Sequence, residues 1–497
     1  MTDKGVEFPD MAPAKASNPG PVPGFCTSAN RRFVLVAAIL ASALAFIDGT
    51  IIAIALPAMR DALGADLVQA QWINNGYMLP LSALILLGGA LGDRFGTARS
   101  FAWGIGIFVI ASILCAFAPT AETLIAGRVL KGIGAAVMIP GSLALITKAY
   151  PKAERGRAIG IWAAASALTT ALGPIIGGIA LEYGGPEIWR WLFGINLPFG
   201  AIALWLVLTR VAHDPSQPDH PLDSIGAVLI TAALGLIAWG LTGGAEGIRM
   251  APVLLGFGFV VAFIVWEGKA SSPMVPLALF RVRAFAAANL ATATLYFALT
   301  TILFFLPMTM IAGWGLSEVL ASAAFAPLSV FISTLSVRAG SWADQYGPGL
   351  LIGGGSLLVA LAFALLAILA SAQSFWVSVL PGTVIMGLGM ALVVSPLSTA
   401  IMGSVDEDRA GAASGINNAV SRVAGLVAVA AMGSVAALIY ATAGGPDSFG
   451  SFSDAPGHGD AMTVAYQTLA WVTAALAAAS GVIAYVFIGK PAASSVS

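Results

Sequence analysis

Fourteen stretches of this chain stay apolar for about the length a helix needs to cross a bilayer, roughly 20 residues for roughly 30 Å of hydrocarbon. In hydrocarbon every backbone N–H and C=O must find its partner within its own segment, so such stretches are read as membrane helices. They are placed at 33–57, 70–92, 100–118, 122–147, 157–181, 189–210, 224–242, 250–267, 285–312, 318–338, 349–370, 375–400, 413–441 and 465–488. Hydrophobic residues make up 58% of the chain and charged residues 9%, which excludes a water-soluble fold. The fold class is therefore an all-α membrane protein. The 23 Lys and Arg are scattered through short loops, so no basic face for nucleic acid is present. Cys26 and Cys115 give no disulfide framework, and His213, His220 and His458 stand too far apart for a ligand pair. No metal or cofactor is expected.

Residues 1–32, rich in Pro and without an apolar run, read as a disordered tail. The run from Phe33 to Pro57 is too long for a signal-peptide core and reads as a retained first helix. With the N-terminus placed inside, seventeen Lys and Arg fall in inner segments and only Arg60, Arg190 and Arg249 in outer ones. That bias puts both termini in the cytoplasm of a cell whose inner, cytoplasmic membrane the chain spans.

The loop after the second span reads GALGDRFG, Gly89 to Gly96, and the loop after the tenth reads GSWADQYG, Gly340 to Gly347. Gly, Asp and Gly recur 251 residues apart, and the same offset lays the first six spans approximately over spans nine to fourteen, with the last helix displaced by the long outer loop 442–464. The chain thus divides into an N-terminal six-helix bundle (33–211), two linker helices with their loops (212–283), a C-terminal six-helix bundle (284–488) and a short tail (489–497). Repeated halves are a mark of secondary transporters, in which substrate binds near the midplane between the repeats.

These residues resemble the major facilitator superfamily and, within it, the fourteen-helix drug:proton antiporters that include quaternary-ammonium and multidrug exporters. The resemblance rests on FIDGTIIAIALP (Phe46 to Pro57), GALGDRFG with Arg99, RVLKGIGAAVMIPGS (Arg128 to Ser142) and GPIIGG (Gly173 to Gly178). WRWLFGINLPFG (Trp189 to Gly200) and PLDSIG (Pro221 to Gly226) fit as well. The resemblance implies a major facilitator fold with helices arranged 6 + 2 + 6, and proton-coupled export of small lipophilic drugs or toxic organic cations by alternating access. A dedicated exporter of one endogenous metabolite is the alternative. The loop motif ends in Thr97, Ala98 and Arg99 where relatives carry a basic run, and the tenth span lacks a deep acid, which puts divalent-cation transport in doubt. No HExxH, GxSxG or GxxxxGK[ST] motif supports an enzyme or an ATP-driven pump. A membrane receptor is the remote remaining reading.

Asp48 is the one carboxylate well inside a span. A buried acid is suited to exchange a proton for a departing cation, and equally to a structural role at the Gly49-Thr50 break. Arg128 lies about six residues into the fourth span and can reach the level of Asp48 if the two helices are neighbours. The resemblance implies a proton-transfer role for it; a static ion pair is the alternative. Gly173, Pro174, Gly177 and Gly178 match the motif that the resemblance associates with antiporters; ordinary small-residue packing of a membrane bundle is the alternative. Gly89, Asp93, Arg94, Gly96, Arg99 and Asp344 form a candidate cytoplasmic gate, with Arg155 and Arg157 nearby. Candidate cavity residues are Trp72, Asn74, Tyr77, Trp162, Asn289, Tyr296, Phe297, Phe304, Met308, Met386 and Met390, because aromatic faces hold flat or cationic molecules and Met adapts to many shapes. Glu182 reads as solvated, and Arg422, beside Asn417 and Asn418, as a snorkelling or carbonyl-paired cation without a transport role. The expected partners are a small-molecule substrate, protons and the lipid bilayer, with no obligate protein partner.

Overall fold

The computed structural model describes residues 30–211, 214, 221–244, 247–406 and 409–488. The tails expected to be disordered, and Cys26, His213 and His220, lie outside these residues, apart from Asn30, Arg31 and Arg32. Fourteen helices are long and apolar enough to span a membrane. The first six are α1 (Arg31–Leu63), α2 (Leu67–Phe95), α3 (Thr97–Ala116), α4 (Ala121–Ala149), α5 (Lys152–Gly184) and α6 (Trp189–Arg210). The linker pair is α7 (Ser224–Leu241) and α8 (Met250–Glu267). The last six are α9 (Arg283–Gly313), α10 (Glu318–Tyr346), α11 (Pro348–Ala372), α12 (Phe375–Met402), α13 (Ala410–Thr442) and α14 (His458–Phe487).

Local chemistry sets the helix ends. Asp66 with Gln69, and Thr120 with Thr123, form reciprocal capping boxes at the starts of α2 and α4. Pro57 does not end α1 as the first apolar run suggests. The helix continues to Leu63 and stops at Gly64, whose φ of 61° terminates it in the left-handed region. Arg60, expected in an outer loop, is consequently a buried residue of the last turn of α1.

The two halves repeat each other's packing. In the first, α1 packs on α4, α5 and α6, and α4 packs on α2 and α3; in the second, α9 packs on α13 and α14, and α12 on α10 and α11. The loop repeat is also a backbone repeat, with Gly96 at φ 92°, ψ 133° and Gly347 at φ 92°, ψ 139°. Both conformations need the absence of a Cβ. Across the halves, α2 meets α13 and α5 meets α10, while α7 lies on α2 and α13 and so covers one of the two seams. Ser434 of α13 ties that cover down, donating to Leu241 O at 2.6 Å and accepting from Gly243 N at 3.2 Å.

Both described ends emerge on one face, called here the terminal face. The halves are sealed against each other on the far face. There Arg60 Nη1 donates to Phe449 O at 2.6 Å and Nη2 to Ser448 Oγ at 3.3 Å, joining α1 to the loop before α14. Towards the terminal face the α5/α10 seam opens. In α5 the described buried side positions before Gly173 are Ala158 and Ser166, and in α10 from Ala326 onward they are Ala339 and Ala343.

Candidate functional site

Close packing of small residues positions the buried charges. A Cβ on Gly132 of α4 would lie 2.4 Å from Tyr77 O of α2, and one on Gly134 would lie 2.8 Å from Gly104 O of α3. These contacts draw α4 inward. Arg128 and Lys131, three residues apart on one helix face, both reach α1. Arg128 Nη1 pairs with Asp48 Oδ2, and Lys131 Nζ with Asp48 Oδ1. Asp48 is 1% exposed and both cations are fully buried.

The rest of the shell is backbone and aromatic. Arg128 Nε donates to Ile73 O at 2.9 Å, and its guanidinium lies 4.5 Å from the centre of the Tyr77 ring. Lys131 Nζ sits 4.7 Å from the ring centres of both Phe108 and Phe193. Desolvated cation–π contacts of this kind hold charge where water cannot. Lys131 is absent from the residues selected by sequence; its i, i+3 spacing from Arg128 is the signal that points to it.

Beside the triad, Gly49, Thr50 and Ala53 of α1 line a cavity of about 230 Å³ between the halves. Asn74 and Met78 of α2, Thr170 of α5, Thr300 and Phe304 of α9 and Phe325 of α10 complete much of its wall. Gly173 and Gly177 set α5 against α1: a Cβ would lie 2.5 Å from Thr50 Oγ1 and from Ile51 Cγ1, respectively. Gly178 sets α5 against α10, where a Cβ would lie 2.6 Å from Ser322 Oγ and 2.7 Å from Glu318 O. Pro174 lies within the same helix. Glu182 is exposed at the far end of α5, and its Oε2 accepts from Val319 N of α10 at 3.4 Å.

The cavity selection needs correction. Asn74 and Phe304 line the central space, whereas Phe297 lines a separate apolar cleft of about 530 Å³ among α2, α7, α8, α9 and α13. Trp72 packs with Leu234 and Ala238 of α7. Trp162 donates to Ser42 Oγ at 2.9 Å, within the first half. Asn289 donates to Phe285 O at 2.9 Å and accepts from Asn417 at 3.4 Å. Met308 lies against Arg60 in the far seal, and Met386 and Met390 are buried in the core. These side chains fill helix interfaces, which are as apolar as a cavity wall and carry the same periodicity.

The terminal-face cluster is also arranged differently from expectation. Asp93, Arg99 and Asp344 are exposed, and Gly89 has open space where a Cβ would stand. Arg94 lies over the Phe95 ring and Arg99 over the Trp103 ring. Asp93 and Asp344 form no ion pair among the described residues. The pairing there falls to Asp214 in the connector after α6. Its carboxylate accepts from the amides of Thr97 (2.9 Å) and Ala98 (3.1 Å) at the start of α3, and from Lys148 Nζ at 2.9 Å. Burial pushes this carboxyl up, but Lys148 and the two amides together hold it below the usual aspartate value.

A family profile for the Major Facilitator Superfamily matches residues 38–429, well over half of the chain. A methylenomycin A resistance protein of Streptomyces coelicolor (strain ATCC BAA-471 / A3(2) / M145) is 31% identical over 79% of this chain and 83% of that protein. The multidrug resistance protein Stp of Mycobacterium tuberculosis (strain CDC 1551 / Oshkosh) is 31% identical over 81% of this chain and 75% of that one. Among solved structures, a bacterial homologue of the human lysosomal transporter Spinster, inward-facing and unoccupied, aligns with a TM-score of 0.67 at 18% identity, covering 94% of this chain and 100% of that one. A D-xylose–proton symporter aligns at 0.64 and 15% identity, covering 93% and 98%. The chain belongs to the Major Facilitator Superfamily and is a multi-pass membrane transporter of small molecules, not an enzyme.

Proposed function

We propose that the chain is a proton-coupled antiporter that exports small lipophilic organic molecules across the cytoplasmic membrane by alternating access. The observation that carries this reading is the sealed Asp48–Arg128–Lys131 triad beside the cavity between the halves. A proton on Asp48 removes the one negative charge that holds two buried cations, so the intact triad and the proton exclude each other. An equilibrium between two packings can be driven by such an exchange. Each proton entering through about 100 mV releases about 2.3 kcal/mol. The excess of Lys and Arg in connections on the terminal face supports a cytoplasmic location for both termini, so the open mouth faces the cell interior. Gly173, Pro174, Gly177 and Gly178 serve as the pivot where α5 crosses α1 and α10. Gly89, Asp93, Arg94, Gly96, Arg99 and Asp344 engage when the terminal face closes.

Relatives named as resistance proteins support export of organic molecules. A "Probable actinorhodin transporter" of Streptomyces coelicolor (strain ATCC BAA-471 / A3(2) / M145), 33% identical over 82% of this chain, favours a second reading, a dedicated exporter of one metabolite. The test is accumulation of neutral, acidic and cationic fluorescent lipophiles, ethidium among them, in energised everted vesicles. Wild type accumulates at least one of them, an uncoupler abolishes the signal, and Asp48→Asn at equal expression lacks it. Uncoupler-insensitive accumulation, or full activity in Asp48→Asn, would rule the mechanism out.

A further inference from the structure

Away from the helix ends, the charges buried or half-buried in the described spans are one carboxylate and three cations: Asp48 with Arg128 and Lys131, and Arg422 of α13. The interior therefore carries an excess of positive charge even when Asp48 is ionised. Arg422 lies twelve residues into α13, about 18 Å along the helix from its terminal-face end.

Its neighbours on α13 show where it faces. Gly415 abuts Leu86 of α2, Gly425 abuts Thr300 of α9, and Val429 O accepts from Gln71 of α2. Arg422 lies on the same stripe of the helix and so points into the seam between α2 and α9, where Thr300 already lines the central cavity. The titratable groups that act on it electrostatically are Tyr77 of α2 and Tyr296 of α9. Its Nε is shielded from solvent and has no hydrogen-bond partner. Among the described residues no carboxylate pairs with it, no carbonyl accepts from it and no ring lies under it. The Tyr77 ring itself carries Arg128 of the triad at 4.5 Å.

An unpaired arginine within a membrane span is unfavourable unless a partner arrives. Its planar fork matches a carboxylate, and the Tyr296 hydroxyl can donate to the same anion, that of Tyr77 being turned to Ala45 O of α1 at 3.5 Å. A cationic cargo would instead meet the excess positive charge of Arg422 and the triad. We propose that Arg422 anchors an acidic group, a carboxylate or ionised phenol, of the exported molecule, whose apolar body lies against Phe304, Leu303 and Leu328 of the central cavity. This rests on the transport reading above and narrows its cargo to lipophilic organic acids. One acid leaving as one proton enters moves two charges in the same electrical sense, so a membrane potential alone drives the exchange.

The experiment uses a fluorescein-type carboxylate dye and a neutral dye of similar size in everted vesicles, with Arg422→Gln and Arg422→Lys. The expected result is uncoupler-sensitive transport of the acid in wild type, also driven by an imposed potential without a pH gradient. In Arg422→Gln the ratio of acid to neutral transport falls by at least about tenfold, through KM, and Arg422→Lys restores most of it. An equal fall for both dyes in Arg422→Gln would mean a structural role and overturn the proposal. Wild-type transport of neutral or cationic dyes but no acid would overturn it while leaving export intact, whereas no transport of any dye would sink the export reading itself. Dye binding to the purified protein in zwitterionic nanodiscs supplies the last arm. If phosphatidylglycerol abolishes acid binding at low mole fraction, the site holds a lipid headgroup and the cargo assignment fails.

Discussion

The triad makes an unequal prediction for its members, and stability reads it without any assumption about transport. Asp48→Asn leaves Arg128 and Lys131 buried and facing each other with no counter-charge. Removing one partner of a buried ion pair destabilises by about 3–5 kcal/mol, and here two cations are stranded at once. Lys131→Met leaves the Asp48–Arg128 pair and the Arg128–Ile73 hydrogen bond in place. It loses a charge-assisted hydrogen bond of about 1.5–3 kcal/mol, but also a buried ammonium whose desolvation opposed folding. The methionine fills much of the same space between Phe108 and Phe193. Its net effect is therefore about 0–2 kcal/mol. In the double variant Asp48→Asn/Lys131→Met one cation is stranded instead of two, so it is more stable than Asp48→Asn alone by about 1 kcal/mol or more. Reversible unfolding of the purified protein in mixed micelles measures all four corners of the cycle. Additive effects, or Lys131→Met costing as much as Asp48→Asn, would show that the three groups do not share one site.

Two further outcomes follow from other parts of the structure. Gly178→Ala forces a methyl to within 2.7 Å of the Glu318 carbonyl, a backbone atom that cannot rotate away, so α5 separates from α10 at about 1–3 kcal/mol. In a Cys26→Ser background, an impermeant thiol reagent added from the far face then labels Asn74→Cys faster than without the substitution; unchanged labelling would refute a pivot at this glycine. The folded-state value of Asp214 is depressed below the unfolded one, so the stability it lends is complete above the usual aspartate value and is lost only as pH falls through the depressed value. Hydrogen exchange at the Thr97 and Ala98 amides, corrected for intrinsic rates, stays protected at neutral and mildly acidic pH and opens below the usual aspartate range; opening near neutrality would count against the connector latch.

What was legible in the sequence has a physical pattern. Hydrocarbon punishes polar groups, so every exception inside a span carries information, and Asp48 with Arg128 could be picked out as rare charges before any helix was placed. The halves were legible because the Gly–Asp–Gly repeat encodes a backbone conformation that other residues seldom adopt, seen at Gly96 and Gly347. Lys131 was equally rare and stood inside a span, but its meaning depends on which face of α4 turns to α1. Arg422 was visible as a cation within a span, but its isolation arises only when α13 meets α2 and α9. The apolar candidates failed for a different reason. Lipid, a neighbouring helix and a cargo cavity all favour the same side chains, so nothing in the spacing of Met386, Met390 or Trp72 separates the three environments. Asp214 had no signal at all, being one acid in a polar connector, and its role exists only because the amides opening α3 are left without partners by the turn at Gly96. In a membrane transporter, then, the charges to question first are those whose partner lies on another helix, since there charge is scarce and each unpaired group must be answered by lipid headgroup, proton or cargo.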